Sequence, residues 1–484
     1  MAHPPASGTY RYESLAARLT DLIREGVLTR GDRLPSVRRL ARQESVSIST
    51  ALHAYELLER EGIVRSHPRS GYFVEGIRDL PPEPAVSRPS PRPTYVNMSE
   101  TVSDLLKIAR QDTFVPFATA IPAPELLPVR RLNQIMSALC RRADNAGILY
   151  DLPPGNPELR RQLSRYSVDW GCSLGPDDFI ITTGCMEALN LALRAAARPG
   201  AVIAIESPTY YGVLMTIESL GMKALELPTH PADGVSLPEL EKLLERGKID
   251  ACLFAPNFNN PLGSLMPDEN KAKLAELLER HDVPLIEDDI YGDLHFSEQR
   301  PRTVKSFDRD GRVLLCSSFS KTLAPGFRIG FVAPGRYARK LEQLKFMNTV
   351  ATNSPGQLAV AEYLSGGGYD RHLRNLRRAY QQQMNRMLQA ILEYFPAETR
   401  VTCPRGGHIL WVEIPGDFNA LELFEDAIQH HISIAPGPMF SASNQYQNCF
   451  RLNTGLPWSD EIDQAMKTLG TLTKKQLARK ILAS

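Results

Sequence analysis

Hydrophobic and polar residues follow two different periods along the chain, and the change of period divides it. In the first 60 residues apolar side chains recur at helical spacing, as at Leu15, Leu19 and Ile23. After about residue 110, short and nearly continuous apolar runs alternate with helical segments. Such runs are typical of strands in a mostly parallel sheet that helices cover on both faces. The pattern therefore predicts a multidomain chain whose larger part has an α/β fold.

Segment boundaries follow from the same pattern. Strands are predicted at 179–183, 202–206, 251–256, 284–287, 313–317 and 329–333, with helices at 185–197, 268–280 and 337–347. Long helices and further apolar runs after about residue 350 predict a smaller α+β lobe. The proline-rich stretch 80–93 predicts a semi-stiff extended spacer. We expect an N-terminal domain at 8–77, a linker at 78–110, a large domain at 111–345 and a small lobe at 346–484.

The N-terminal domain has the spacing of a helix-turn-helix. Ser36 is predicted to cap one short helix, and Ser47 a second helix after a turn at 44–46. Gly62 ends the second helix, and the following IVRSHPRSGYFV predicts two strands joined by a turn that carries Arg69. Such a hairpin behind a helix-turn-helix is a wing. The order of elements is that of a winged helix-turn-helix.

The charge of this domain is locally basic. The whole chain has 56 Lys and Arg against 55 Asp and Glu, so its net charge does not argue for a nucleic-acid partner. Between residues 30 and 42, however, five arginines face one acidic residue, Asp32. A solvated arginine face is the alternative, but the turn spacing and the wing favour binding to double-stranded DNA. The predicted DNA contacts are Arg33, Arg38, Ser47, Ser49, Thr50 and Arg69.

Residues 10–76 resemble the winged-helix regulators of the GntR family. The motifs that carry the resemblance are RLPSVRRLA, VSISTALHAYELLEREG and RSGYFV. Members often have an arginine shortly after the capping serine, where this chain has Ile48. Base recognition at that position is therefore expected to be apolar.

Polar residues follow the predicted strands of the large domain. Open α/β sheets bind ligands at the carboxyl ends of their strands. Those ends hold residues 183–185, 207–210, 257–263, 288–291 and 318–321, with one lysine among hydroxyl, amide, aromatic and acidic groups. Pyridoxal 5'-phosphate needs an amine, a carboxylate for its pyridine nitrogen, donors for its phenolic oxygen, a stacking ring and a phosphate site. The set could supply each, although Tyr210 could also pack a core and Arg451 could be a surface charge.

Residues 110–475 resemble the fold-type I pyridoxal-phosphate aminotransferases, and this resemblance implies roles for individual residues. Lys321 in SFSKTLAPGFRIGF is implied as the catalytic lysine that forms an aldimine with the cofactor. Asp288 pairs with the pyridine nitrogen, Tyr291 and Asn260 donate to the phenolic oxygen, and Tyr210 stacks on the ring. No metal is implied.

The same resemblance implies a phosphate site, a subunit contact and a substrate site. Gly184 and Cys185 begin the helix that meets the phosphate, which Ser318 and Arg328 also contact. Tyr150 is implied to reach the phosphate in the neighbouring subunit, so a homodimer with shared sites is expected. Arg451 is implied to hold a substrate carboxylate. Many relatives have a polar residue at or beside Met186, so backbone amides are expected to carry more of the phosphate binding here.

The fusion of both parts resembles the MocR-type subgroup of the GntR family. It implies a homodimeric regulator that senses the cofactor or a small amino compound through the aldimine at Lys321, with the DNA-binding domain of one subunit near the large domain of its partner. At most residual transamination is expected. An active aminotransferase with an added DNA-binding domain is the alternative, and a regulator with a degenerate pyridoxal domain is a third.

Two further classes are disfavoured by the sequence. It has no run of about 18 apolar residues and no basic segment followed by an apolar one at its start, so we expect a cytoplasmic protein without a membrane span or signal peptide. Its seven cysteines lack CxxC spacing, so neither a disulfide framework nor a metal site is expected.

Overall fold

The N-terminal domain packs three helices against a two-stranded sheet. A computed structural model describes residues 10–67, 70–76, 81–109, 113–141 and 148–483. Leu15, Leu19 and Leu58 are buried between the helices, as their spacing predicts. The elements are α1 (Arg11–Arg24), α2 (Val37–Gln43), α3 (Ile48–Arg60), β1 (Val64–His67) and β2 (Gly71–Val74).

Two serines fix where α2 and α3 begin. The hydroxyl of Ser36 accepts the N–H of Arg39 at 3.3 Å, and the hydroxyl of Ser47 accepts the N–H of Thr50 at 3.0 Å. Each satisfies a main-chain donor that a helix start leaves unpaired. Strands β1 and β2 pair antiparallel, which gives the predicted wing its two strands. Its tip at 68–69 lies outside the described residues.

The linker is extended, but it is bound to the rest of the chain and is not a free spacer. Pro81, Pro84 and Ser87 are buried while the residues between them are exposed. That period of three is the period of a polyproline II helix with one face against a surface. The predicted linker range also contains β3 (Thr94–Tyr95) and α4 (Ser99–Ala109). Proline content alone could not show that this stretch has a surface to bind.

The bound stretch 81–95, which we call the strap, contacts both the large domain and the small lobe. These two parts together are called the body. The carbonyl of Pro82 accepts the N–H of Val401, and the N–H of Ala85 donates to Glu413, both in the small lobe. Further on, Ser87 and Thr229 exchange two hydrogen bonds, and β3 pairs with the large sheet. The strap therefore joins the two parts of the body.

A mostly parallel sheet with helices on both faces forms the large domain. The strands of this part are β4 (Val115–Pro116), β5 (Ile180–Thr182), β6 (Val202–Ser207), β7 (Lys223–His230), β8 (Gly234–Val235), β9 (Ala251–Phe254), β10 (Leu285–Asp288), β11 (Val313–Ser318) and β12 (Gly330–Ala333). All six predicted strands form, as β5, β6 and β9 to β12, in a sheet of the order β3-β7-β6-β9-β10-β11-β12-β5 with β8 beside β7. Strands β7, β6, β9, β10 and β11 are mutually parallel, and β12 is antiparallel to both neighbours.

Strand β7 has no counterpart among the predicted strands. Its sequence KALELPTH is interrupted by Glu226 and a proline, so it lacks the apolar run of its neighbours. In the fold Glu226 is buried and accepts hydrogen bonds from the hydroxyls of Ser207 and Ser443. A buried acid that is satisfied by distant residues cannot be recognised from its own segment.

Helices of the large domain enclose this sheet. They are α5 (Val129–Cys140), α6 (Pro157–Tyr166), α7 (Cys185–Ala196), α8 (Tyr211–Ser219), α9 (Leu237–Glu245), α10 (Asp268–His281), α11 (Ala338–Thr349) and α12 (Ser354–Ser365). Although α12 lies beyond the predicted boundary at 345, it packs against α5 and α6. Ala359 and Val360 share an apolar cluster with Leu132 and Leu159. The large domain therefore extends to about residue 365.

The small lobe combines helices with an antiparallel sheet, as predicted. Its elements are α13 (Gly368–Tyr394), β13 (Arg400–Val401), β14 (Ile409–Glu413), α14 (Ala420–Ile428), β15 (Ile432–Ser433), β16 (Ala435–Pro436), β17 (Cys449–Asn453) and α15 (Asp460–Ala483). The four-stranded sheet has the order β13-β14-β17-β16, while β15 pairs with β4 of the large domain. None of the helices in the described part of the chain is long and apolar enough to cross a membrane.

The N-terminal domain contacts the body through the carboxyl end of α3. The side chain of Asn385 on α13 donates to the carbonyl of Arg60 at 2.6 Å. A second contact is the hydrogen bond from the Tyr12 hydroxyl to Glu298 at 2.9 Å. Both contacts are polar, as is common for interfaces between domains that move relative to each other.

Candidate cofactor site and DNA-binding surface

One cavity opens where the strands of the large sheet end. The polar segments that follow β5, β6, β9, β10 and β11 meet at this cavity, as the parallel topology requires. Eight of the predicted site residues line it: Cys185, Tyr210, Asn260, Asp288, Tyr291, Ser318, Lys321 and Arg328. The wall also contains Met186, Thr119, Ala120 and Ser320.

At one end the cavity has the features of an anion site. Helix α7 begins at Cys185, directly after Gly184, whose φ of +78° favours glycine. A Cβ at Gly184 would lie 2.8 Å from Cζ of Arg328, so glycine allows the guanidinium to approach. Arg328 donates to Ser320 Oγ and to the carbonyl of Thr183, each at 3.3 Å. A helix start beside a guanidinium suits a phosphate.

Asp288, which also lines the cavity, lies at the last position of β10. Its Oδ1 accepts the N–H of Ile290 at 3.1 Å and the thiol of Cys185 at 3.5 Å. Burial raises the pKa of Asp288 to about 6, although both donors and Lys321 favour the charged form. A carboxylate in this setting can accept the N–H of a protonated ring nitrogen and stabilise its positive charge.

Lys321 projects from the connection after β11 toward the segment at 118–121. Its Nζ donates to the carbonyl of Ala120 and lies 5.8 Å from the centre of the Tyr291 ring. Burial and then the nearby Arg451 lower the pKa of Lys321 to about 8. The neutral amine that carbonyl chemistry requires is therefore accessible near neutral pH. Sequence reasoning missed Ala120 because a main-chain carbonyl leaves no mark in the sequence.

Arg451 lies behind the cavity wall, in the middle of β17. It is completely buried, so the alternative that it is a surface charge is wrong. Its guanidinium donates to Asn260 Oδ1 at 3.1 Å and to the carbonyl of Ala118. Its Nε has no partner in the described structure. A buried guanidinium beside the site, with an unused donor, suits a small carboxylate.

His408 also belongs to this region and was not among the predicted residues. Its ring is 5.5 Å from that of Tyr291, and its Nδ1 lies 3.0 Å from Asn453 Oδ1. Burial and the charge of Lys321 lower the pKa of His408 to about 3, which keeps the imidazole neutral. The only sequence signal was its place directly before the apolar strand β14.

Tyr150 is not brought to the cavity of its own chain. Its side chain is 79% exposed, beside the exposed Ile148, Leu149 and Leu152. The loop is held in place because the hydroxyl of Ser354 donates to the carbonyl of Leu149 at 2.9 Å. A role for Tyr150 in a neighbouring subunit stays a prediction.

The donor set of the cavity fits pyridoxal phosphate. Gly184 and Gly330 leave the space that a phosphate end needs, since a Cβ at Gly330 would lie 2.9 Å from the N of Cys185. The lining also includes the carboxylate of Asp288, the amine of Lys321 and the ring of Tyr210. Amine, acid, ring and anion site therefore occur together.

A second functional surface lies on the N-terminal domain. Arg33, Arg38, Ser47 and Ser49 are exposed, and Thr50 is half-buried. The predicted contact Arg69 lies outside the described residues. The hydroxyl of Ser47 is 2.7 Å from that of Ser49 and 2.8 Å from that of Thr50, so these groups cluster at the start of α3.

The docking of this domain leaves that surface free. Ile48 lies twelve positions before Arg60 on the helix, so the start of α3 is about 18 Å from the contact with the body. The carboxylate of Asp32 accepts the N–H and hydroxyl of Thr29 at 2.7 and 2.9 Å, and in the described part of the chain it forms no ion pair with an arginine. Ile48 is 57% exposed at the helix start, where it can contact an apolar group.

Comparison with known proteins identifies both parts. Residues 129–469 match the model for aminotransferase class I and II, and residues 11–74 match that for bacterial regulatory proteins of the gntR family. The chain is 41% identical to an uncharacterized HTH-type transcriptional regulator, YdcR of Escherichia coli, over 96% of this chain and 100% of that protein. The chain belongs to the MocR-type regulators of the GntR family.

Other relatives are consistent with this family. The MocR-type chain is 27% identical to the HTH-type transcriptional regulator NorG of Staphylococcus aureus, over 92% of this chain and all of that protein. Its body resembles the multiple substrate aminotransferase of Thermococcus profundus, with a TM-score of 0.73 and 28% identity over 79% of this chain and 96% of that one. The fold is that of fold-type I aminotransferases, whose cofactor is pyridoxal phosphate.

Proposed function

We propose that this MocR-type protein binds DNA through its winged helix-turn-helix and that a small amino compound, acting at Lys321, changes that binding. The observation that carries the proposal is the presence in one chain of a cavity lined by eight of the predicted cofactor residues and of an exposed basic helix-turn-helix. Arg33, Arg38 and the hydroxyls at the start of α3 are the proposed DNA contacts, together with Arg69.

The residues of the site have distinct proposed tasks. Pyridoxal phosphate supplies, when bound, an aldehyde carbon with which primary amines condense. Lys321 provides the resident amine, and Asp288 stabilises the charge on the pyridine nitrogen. Tyr291 and Asn260 donate to the phenolic oxygen. Phosphate is held by Ser318, Arg328 and the start of α7 at Gly184 and Cys185, and Tyr210 stacks on the ring.

Arg451 selects an amino compound that carries a carboxylate. Asn260 and the carbonyl of Ala118 already orient its guanidinium. A ligand that contacts both Arg451 on the small lobe and Lys321 on the large sheet favours one arrangement of the two parts. A ligand changes DNA affinity only if it distinguishes two such arrangements.

We further propose a cytoplasmic homodimer. Tyr150 and its exposed apolar neighbours would lie at the subunit contact, with Tyr150 reaching the phosphate in the partner's site. Exchange of DNA-binding domains between subunits, as the family resemblance implies, stays a prediction.

The test is a titration of purified protein with candidate amino acids, in which cofactor absorbance and DNA affinity are followed together. The DNA is a duplex selected by the protein from random sequences. We expect at least one amino acid to change both signals at the same concentration. An absorbance change with every active amine but unaltered DNA affinity would refute the proposal.

An active aminotransferase is the second candidate, because every cofactor residue named above is present. The two functions differ in turnover with a 2-oxo acid. We expect at most slow conversion of the bound cofactor to its amine form, and sustained turnover would favour the enzyme. A degenerate domain would show no cofactor absorbance in the purified protein and no further change with Lys321→Ala.

A further inference from the structure

Asp288 uses only one of its two carboxylate oxygens within the chain. Oδ1 accepts two donors, the N–H of Ile290 at 3.1 Å and the thiol of Cys185 at 3.5 Å. In the described structure no hydrogen bond to Oδ2 is recorded. Oδ2 is therefore left for a ligand. The thiol of Cys185 is one of the two donors that engage Oδ1.

The direction of the thiol contact follows from its surroundings. Cys185 is buried against the end of β10, and burial raises the pKa of its thiol well above the ordinary value. The sulfur therefore keeps its proton and is the donor, while the carboxylate accepts. The sulfur accordingly stabilises the charged form of Asp288.

We propose that Cys185 is a positioning residue for Asp288. Its S–H, together with the N–H of Ile290, holds Oδ1 and so turns Oδ2 toward the N–H of the cofactor's pyridine ring. This inference rests on the proposed cofactor site. It differs from the proposed role of the Cys185 backbone at the phosphate, since the thiol contacts Asp288.

Other titratable groups also surround Asp288. Lys321 faces it from the connection after β11, and Glu206 on β6 and Cys316 on β11 also act on it electrostatically. Asp289 follows it in the chain. Cys316 is a useful control, because its thiol is equally buried but lies 3.8 Å from the carbonyl of Leu314 and makes no recorded hydrogen bond to Asp288.

The experiment measures binding of pyridoxal phosphate to apo protein prepared from wild type, Cys185→Ala, Cys185→Ser and Cys316→Ala. We expect Cys185→Ala to weaken binding about 3- to 10-fold, because one hydrogen bond from a weak thiol donor is lost. The serine variant keeps a donor and should recover at least half of the loss in binding free energy. Cys316→Ala should stay within about twofold of wild type.

A double-mutant cycle with Asp288→Asn separates positioning from packing. Loss of the thiol should weaken cofactor binding much less when residue 288 carries no charge. The pH midpoint of the bound cofactor's absorbance should move in Cys185→Ala but not in Cys316→Ala. Circular dichroism of each apo variant checks its fold.

Two outcomes overturn the proposal. One is that Cys185→Ala keeps the wild-type cofactor affinity and pH midpoint. The other is that Cys185→Ala weakens cofactor binding by the same factor whether residue 288 is Asp or Asn. A wild-type protein that binds no cofactor would instead refute the proposed function, so the two failures are distinguishable.

Discussion

Lys321 must lose a proton before it can attack a carbonyl carbon, so its pKa governs attachment of the cofactor. Burial lowers this pKa from 10.5 to about 8, which means that the neutral amine is rare below pH 7 and dominant above pH 9. We expect the rate at which apo protein takes up pyridoxal phosphate to rise through about pH 8 and then level off. Stopped-flow absorbance across this range measures it, and a midpoint near 10.5 would contradict the buried environment.

Gly184 combines a positive φ with a close neighbour, and the two effects can be separated. Gly184→Ala places a Cβ 2.8 Å from Cζ of Arg328, while Gly200 has a similar φ of +84° and no atom within 4 Å of such a Cβ. Each substitution costs about 1 kcal/mol of backbone strain. We expect Gly184→Ala alone to lower cofactor affinity, by at least tenfold. Calorimetric titration of both apo variants measures this, and equal losses would assign the effect to strain.

Arg38 tests the DNA surface at a single side chain. It is exposed on α2 and takes part in no ion pair recorded for the described residues. If it contacts one phosphate, Arg38→Ala should weaken binding to all duplexes and lower the slope of log affinity against log salt by about one. Arg24→Ala on α1 is the matched control, since Arg24 is exposed and paired with Asp21. An unchanged slope would remove Arg38 from the footprint.

Individual site residues differed in how far the sequence could reveal them. Asp288 and Lys321 could be predicted because both follow strands of a parallel sheet. The carboxyl ends of such strands meet at one edge, so residues that follow them lie close together. Arg451 could be assigned only by resemblance, and its complete burial depends on contacts with Asn260 and Ala118 that lie far away in the chain. Main-chain carbonyls such as that of Ala120 have no residue type to mark them.

Among the elements, the helix starts and the strap show the same contrast. The starts of α2 and α3 depend on a serine and its own helix, so local sequence sufficed to predict them. The strap depends on surfaces of both parts of the body. Its buried period of three is visible in the fold, but prolines at 81 and 84 would also suit a free spacer.

The strap offers a physical route from the cofactor site to the DNA-binding domain. It follows that domain directly in the chain and is held by the small lobe at Val401 and by the large sheet at Thr229. Arg451 and Lys321 lie on these same two parts. A ligand that draws the parts together would therefore shift the anchors of the strap.

Ser87→Ala removes one of these anchors. The Thr229 N–H loses its 2.7 Å hydrogen bond to the hydroxyl, at a cost of about 1–3 kcal/mol for a buried donor left unpaired. We expect the amino acid's effect on DNA affinity to fall several-fold, with cofactor affinity unchanged. Fluorescence anisotropy with and without the ligand measures it. Ser90→Ala, in an exposed part of the strap, should behave as wild type. If the amino acid changes DNA affinity equally in both variants, the strap is excluded as the route.

At the scale of the whole molecule, the exposed apolar loop around Tyr150 supports the proposed homodimer. Ile148, Leu149 and Tyr150 are 80%, 70% and 79% exposed, while Ser354 fixes the loop backbone. Three adjacent large side chains held outward in this way are typical of an interface. Leu149→Asp should therefore convert a dimer into monomers in sedimentation velocity, whereas Val168→Asp, at an exposed apolar residue elsewhere, should not.

Mixed dimers show whether Tyr150 serves its own site or the partner's. Tyr150→Phe should weaken cofactor binding about tenfold, the effect of losing one hydrogen bond to a charged group. In a dimer of one Lys321→Ala chain and one Tyr150→Phe chain, action across the interface places both defects in one site and leaves the other intact. Differently tagged chains, purified together, should then bind one cofactor per dimer with wild-type affinity. If Tyr150 acts within its own chain, each site carries one defect and no wild-type site is found.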